Sequence, residues 1–272
     1  MEFDSNSEYE IDKNSMPGIW HGFLLILITG ALSFLIAPLI NISVGEIIVI
    51  KPWVVFLNYN LSFGALLFIA IRLWQHNKFE TSNTPIVLYF ILLPLILAMS
   101  VIAEGIVSLL PMPDFMVKLF EQMIQYNVPS YLVIGVSAPI LEELIFRGVV
   151  LKGFLKKYNP KKAILWSAII FGAAHLNPWQ FIPAFLIGLV IGWLYYKTRS
   201  IWPGIFIHFV NNSASFYMAY KYQDVNVGFI DISGSTLNYI ILLAASTITC
   251  IIIYSILNKF LSNTQTQVIN HE

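Results

Sequence analysis

Charge is what this chain has least of. Only 11% of its 272 residues are Asp, Glu, Lys or Arg, where a soluble domain of this length carries about 25%. The mean hydropathy is +0.74, so the deficit is filled by apolar side chains. Fifteen basic residues face fifteen acidic ones, and a zero sum points to no nucleic acid and to no acidic partner. The single cysteine, Cys250, excludes an internal disulfide and a thiolate metal cluster; within its apolar run it reads as a small buried hydrophobe. No H-E-x-x-H pattern and no G-x-S-x-G setting occurs. Cys250 also shares its span with no histidine, so serine and cysteine nucleophiles are both disfavoured. The stretch "MEFDSNSEYEIDKNSMPG" lacks the basic start of a cleaved signal peptide, and residues 1–18 are expected to form a cytoplasmic tail.

What the chain has is apolar runs of about 20 residues, the length of helix that crosses a hydrocarbon core of roughly 30 Å. They predict an all-α, polytopic integral membrane bundle of about eight transmembrane helices, near 19–40, 53–74, 85–110, 130–157, 162–175, 179–197, 203–220 and 237–259. One integral domain, 19–260, is expected, with its chemical core at about 130–220 and a cytoplasmic tail at 261–272. The segment "DFMVKLFEQMIQYN" at 114–127 is too polar to span; its apolar residues recur at helical spacing, which predicts an amphipathic helix lying in the membrane interface. With eight spans, eleven Lys and Arg fall on the side of the termini and three, Lys51, Lys118 and Lys221, on the other. The positive-inside tendency then puts both termini in the cytoplasm of a cell-membrane protein.

Against that background "APILEELIFRG", residues 138–148, stands out. An ionised side chain at mid-bilayer costs at least about 2.5–3.5 kcal/mol and is usually paired or functional. Glu143 and Arg147 are i,i+4 neighbours and can pair on one helical face, which leaves Glu142 unaccounted for. Pro139 removes a backbone bond to the carbonyl of Gly135, a place for the helix to open toward water. "FGAAH" puts Phe171 and His175 on one face of the fifth span, and "HFVNN" puts His208 and Asn212 on one face of the seventh. Phe171 reads as packing. Glu104, in the third span, has no local partner; a place near the boundary at "SLLPMPD" and a pairing with Arg147 are both open.

Two glutamates, two imidazoles and a carboxamide on three spans suit amide hydrolysis, which needs a base to activate water and donors for the oxyanion. Glu142, His175 and His208 also form a familiar zinc set. Intramembrane Glu, His and Arg build proton relays as well, although the paired broken helices of a two-repeat transporter are missing.

E-E-x-x-x-R in "EELIFR", F-x-x-x-H in "FGAAH" and H-x-x-x-N in "HFVNN", in that order, resemble the three motifs of the CPBP family, the type II CAAX prenyl endopeptidases and their bacterial Abi-like relatives. The resemblance runs from about 130 to 215 and implies an intramembrane endopeptidase with a cavity open to the cytoplasm. It implies Glu142 as general base working with His175 on water, His208 and Asn212 as oxyanion donors, and Glu143 with Arg147 ordering the site. A metal-free glutamate mechanism is the expectation, with no cofactor; zinc on Glu142, His175 and His208 is the alternative. The implied partners are the lipid bilayer and a membrane-associated peptide or protein substrate, CAAX-type prenylated proteins among the candidates. A family scaffold or immunity-type protein without turnover is the rival reading.

Overall fold

The computed structural model describes residues 17–40, 51–74 and 79–269. Most of the tail expected at 1–18 therefore lies outside the described residues. Ten helices follow in order among them: α1 (Ile19–Ile40), α2 (Pro52–Trp74), α3 (Ile86–Val107), α4 (Asp114–Met123), α5 (128–157), α6 (Pro160–Ala173), α7 (Pro178–Thr198), α8 (Trp202–Tyr222), α9 (Phe229–Ser233) and α10 (Thr236–Ile269). The eight longest overlap the eight apolar runs. By length and composition four are able to cross a membrane: α2, α3, α7 and the Thr236–Ser262 part of α10. The protein is an all-α, multi-pass membrane bundle.

The amphipathic segment is helical only to Met123; Ile124 leaves the helix at φ −94° and ψ 80°. α10 runs on to Ile269, ten residues beyond the end read from hydropathy.

Local sequence sets the starts of the helices that carry the polar residues. Asn127, Asn159 and Asn177 each accept a hydrogen bond at Oδ1 from the backbone N–H three residues on, at 3.0, 2.9 and 2.9 Å. Each is followed by a proline at the first or second helical position, where the missing N–H has no intrahelical use. Thus α5, α6 and α7 begin where Asn-Val-Pro and Asn-Pro stand.

α5 is not a uniform helix. Its segments Leu132–Ser137 and Phe146–Leu151 are π-helical, on either side of the α-helical turn pair Ala138–Ile145. Such wide turns rotate the side chains that follow them, and they recur at functional sites. Here they bracket both glutamates.

Two apolar clusters fill the bundle. One gathers Leu25, Leu66, Ala70, Val149, Phe154 and Ile170 from α1, α2, α5 and α6; the other gathers Leu88, Ile96, Ile191, Leu194, Ile207 and Leu257 from α3, α7, α8 and α10. The charged residues of α5 lie where these halves meet. Glu104 belongs elsewhere. It accepts a 2.7 Å hydrogen bond from the Tyr239 hydroxyl of α10, one turn before the end of α3. Its place is therefore the helix boundary, and Arg147 is occupied by other groups.

Candidate active site

Glu143 and Arg147 are both fully buried, with side chains 0% exposed, and pair through Arg147 Nη1 and Glu143 Oε1 at 2.9 Å. Full burial of an ion pair is tolerable only when further groups complete it. Arg147 Nη2 donates to the carbonyl of Gly188 on α7 at 3.3 Å, and its guanidinium lies 4.5 Å over the Phe171 ring, where the ring's electron-rich face holds a cation. On the other side, Glu143 Oε1 lies 3.3 Å from His208 Nδ1. An ionised carboxylate can only accept, so that nitrogen carries the proton. Gly204, one turn before His208, leaves room for this: a Cβ there would stand 2.8 Å from Glu143 Oε2 and 2.6 Å from Ile191.

Glu142 differs from its neighbour. Its side chain keeps 13% exposure. Oε1 accepts from the Tyr59 hydroxyl of α2 at 2.7 Å, and Oε2 faces His208 Nε2 across 3.9 Å. That span is too long for a direct hydrogen bond. His208 therefore stands between the two glutamates, one at each ring nitrogen.

Phe171 packs in the core as expected, 2% exposed, and its ring also joins the polar residues. Its ring meets His175 and His208 edge-on, each with centroids 5.5 Å apart, in addition to its contact with Arg147. His175 Nδ1 lies 3.1 Å from the Phe171 carbonyl, an acceptor, so its proton also sits on Nδ1. His175 thus joins the cluster through Phe171. The next residue, Leu176, takes a left-handed φ of 58° and ends α6 sharply beside it.

Asn212 is held from two sides. Asn211 Nδ2 donates to its Oδ1 at 3.2 Å, and its own Nδ2 donates to the carbonyl of Ile134 at 2.9 Å. The second bond has a cause in α5. The local register there is i to i−5, with the Ala138 N–H on the Val133 carbonyl. At the change from this register to the α-helical one of Ala138–Ile145 the Ile134 carbonyl is passed over, and a side chain of α8 satisfies it. One Nδ2 hydrogen of Asn212 remains for other use. We expect Asn212→Ala to lower stability by about 1 kcal/mol, the loss for a partly buried carbonyl left unpaired, as read by thermal denaturation in detergent. Melting equal to the wild type would count against this account.

Both histidines have the outer hydrogen bond, to a carboxylate or a carbonyl, that orients a metal-ligating imidazole. Yet among the described residues no group of three His, Cys, Asp or Glu side chains is disposed to hold a metal ion.

Beside the cluster an apolar groove of about 310 Å³ is lined by Val136, Pro139 and Ile140 of α5, Tyr89 of α3, and Trp202, Ile205, Phe206 and Phe209 of α8. Ile140, Trp202 and Phe209 are exposed, so the groove opens sideways.

Of the six residues named from sequence, Glu142, Glu143, Arg147 and His208 lie together directly, His175 joins through Phe171, and Asn212 is bonded to Asn211 and Ile134; Tyr59 has no counterpart in the sequence reading. "NYNLS" at 58–62, polar residues within an apolar span, was the available signal for Tyr59.

Residues 124–214 match the family model described as Type II CAAX prenyl endopeptidase Rce1-like. The chain is similar to the protein named "Putative membrane peptidase YdiL" of Bacillus subtilis (strain 168), 33% identical over 87 residues, which are 32% of this chain and 36% of that protein. It is also similar to UPF0177 protein YxdF of Lactococcus lactis subsp. lactis (strain IL1403), 29% identical over 77 residues, 28% of this chain and 42% of that one. The matches thus span well under half the length of these curated relatives. No solved structure matches. Glu142, Glu143, Arg147, Phe171, His175, His208 and Asn212 all fall inside the matched segment, and Tyr59 falls outside it; residues 124–214, a third of the chain, are thus similar to the Rce1-like type II CAAX prenyl endopeptidases.

Proposed function

We propose that the protein is an intramembrane endopeptidase that hydrolyses peptide bonds of membrane-associated proteins or peptides with Glu142 as general base. One observation supports this most directly: of the two adjacent glutamates, only Glu142 is accessible, because Glu143 Oε2, though without a hydrogen-bond partner, is fully buried. Glu143 Oε1 already serves Arg147 and His208, and its side chain is sealed. Glu142 is partly accessible, and its Oε2 makes no direct hydrogen bond to His208.

In this reading water sits against Glu142 Oε2, with His175 Nε2 as a second acceptor. Glu142 takes one proton as the water oxygen bonds to the scissile carbonyl carbon. His208, protonated, donates from Nδ1 to Glu143 and from Nε2 to the resulting oxyanion; the free Nδ2 hydrogen of Asn212 is the second donor. The C–N bond then breaks, and the proton on Glu142 passes to the departing amine. Arg147 and Glu143 hold His208 in place throughout. The apolar groove beside α8 suits a hydrophobic segment of the substrate, and CAAX-type prenylated chains are one class of such substrates. The excess of Lys and Arg on one side of the bundle supports cytoplasmic termini.

The test is cleavage of a lipidated reporter peptide by the purified protein in detergent, read by mass spectrometry. We expect two fragments whose masses sum to the substrate plus one water, with the rate unchanged by a zinc chelator. No fragment formation would remove the hydrolase reading. Loss on chelation that zinc reverses would replace the metal-free mechanism with a zinc-dependent one.

A further inference from the structure

We propose that Tyr59 is a positioning residue for Glu142, so that α2, outside the matched segment, completes the site. The inference rests on the reading of Glu142 as the base.

A glutamate carboxyl turns about its last torsion with little preference. Glu142 has two neighbours competing for it: the Tyr59 hydroxyl on Oε1 at 2.7 Å and His208 Nε2 facing Oε2 at 3.9 Å. A phenol donating to an ionised carboxylate is among the stronger hydrogen bonds. Tyr59 is itself fixed, because its ring stacks on Phe63 one turn along α2, with centroids 4.4 Å apart and planes 18° from parallel. Behind it, Asn58 Nδ2 donates to the Ser33 carbonyl at 3.3 Å, which ties α2 to α1 at the same level. The phenol therefore holds the carboxylate back from His208. Without it, Glu142 swings to the imidazole and closes the gap into a direct contact. The base is then consumed by an ion pair, and the place for water is lost.

Tyr59→Phe keeps the ring stack and removes only the hydroxyl. We expect kcat on the lipidated reporter to fall about 10- to 100-fold, the range that a misplacement of about 1 Å produces, with KM within about twofold and the melting temperature unchanged. In a Glu142→Asp background, where the carboxylate is withdrawn by one methylene, adding Tyr59→Phe should change kcat by less than about twofold, since residues that act through one another are not additive. A wild-type kcat in Tyr59→Phe, an effect carried by KM, a variant that no longer folds, or an undiminished effect in the Asp background would each overturn the proposal. Wild type and Glu142→Gln run alongside separate two failures. Equal rates for those two sink the base assignment itself. A gap between them, with Tyr59→Phe at the wild-type rate, sinks only the role of Tyr59.

Discussion

Glu142→Gln leaves the protein folded and lowers the first-order rate of reporter cleavage by about 10²- to 10⁴-fold, the contribution of a positioned general base. The amide is nearly the same shape as the carboxylate. Its oxygen still accepts from Tyr59, so the hydrogen bond at 2.7 Å survives the change. What is lost is the ability to take a proton from water and return it to the amine. Glu142 is partly exposed and is bound to no buried cation at short range, so the fold depends on it little. The matching change one position on behaves differently: Glu143→Gln weakens the hold on both Arg147 and His208, so it lowers stability and rate together. Single-turnover rates and melting temperatures of the two variants, measured side by side, check the assignment. A Glu142→Gln rate within about tenfold of wild type would remove Glu142 from the chemistry.

The sequence made this cluster visible because lipid-facing helices have so few polar residues. In a soluble domain Glu142, Glu143 and Arg147 would vanish among surface charges. Here, with 11% charged residues, each polar side chain in a span asks for a partner, and the i,i+4 spacing of Glu143 and Arg147 named one pair directly. Contacts between helices were less legible. Tyr59 lies 83 positions from Glu142, and a lone tyrosine in an aromatic-rich chain carries no mark of its function. Phe171 read as filler because spacing shows which face a ring occupies but not that a guanidinium and two imidazoles converge on it. The bond from Asn212 to Ile134 depends on a π-helical register that hydropathy does not encode. The placement of Glu104 turned on which helix packs against α3, a matter of tertiary arrangement; the partner proved to be Tyr239, 135 positions away.

Arg147→Met removes the countercharge from a fully buried carboxylate and should be the most destabilising of the single changes considered. Breaking a buried ion pair from one side costs about 3–5 kcal/mol, a large part of the roughly 5–15 kcal/mol that holds a typical protein folded. Three contacts go at once: the bond to Glu143, the bond to the Gly188 carbonyl and the contact over Phe171. Glu143 is left at 0% exposure with only His208 Nδ1 against it. Methionine fills much of the vacated volume, so the effect is one of charge more than of cavity. The double variant Glu143→Gln/Arg147→Met then discriminates between explanations. With neither charge present, no uncompensated ion is buried, and stability should recover most of the loss. Activity should stay low, because the neutral amide holds His208 Nδ1 more weakly than the carboxylate does, and the imidazole that faces Glu142 is no longer set. Denaturation in detergent and reporter cleavage on the same samples separate the two quantities. If the double variant melts no higher than the single one, the penalty lies in packing around Phe171 and not in the stranded carboxylate. If it regains wild-type cleavage, the buried pair serves the fold alone, and the orientation of His208 is set by Phe171 and the walls of α8.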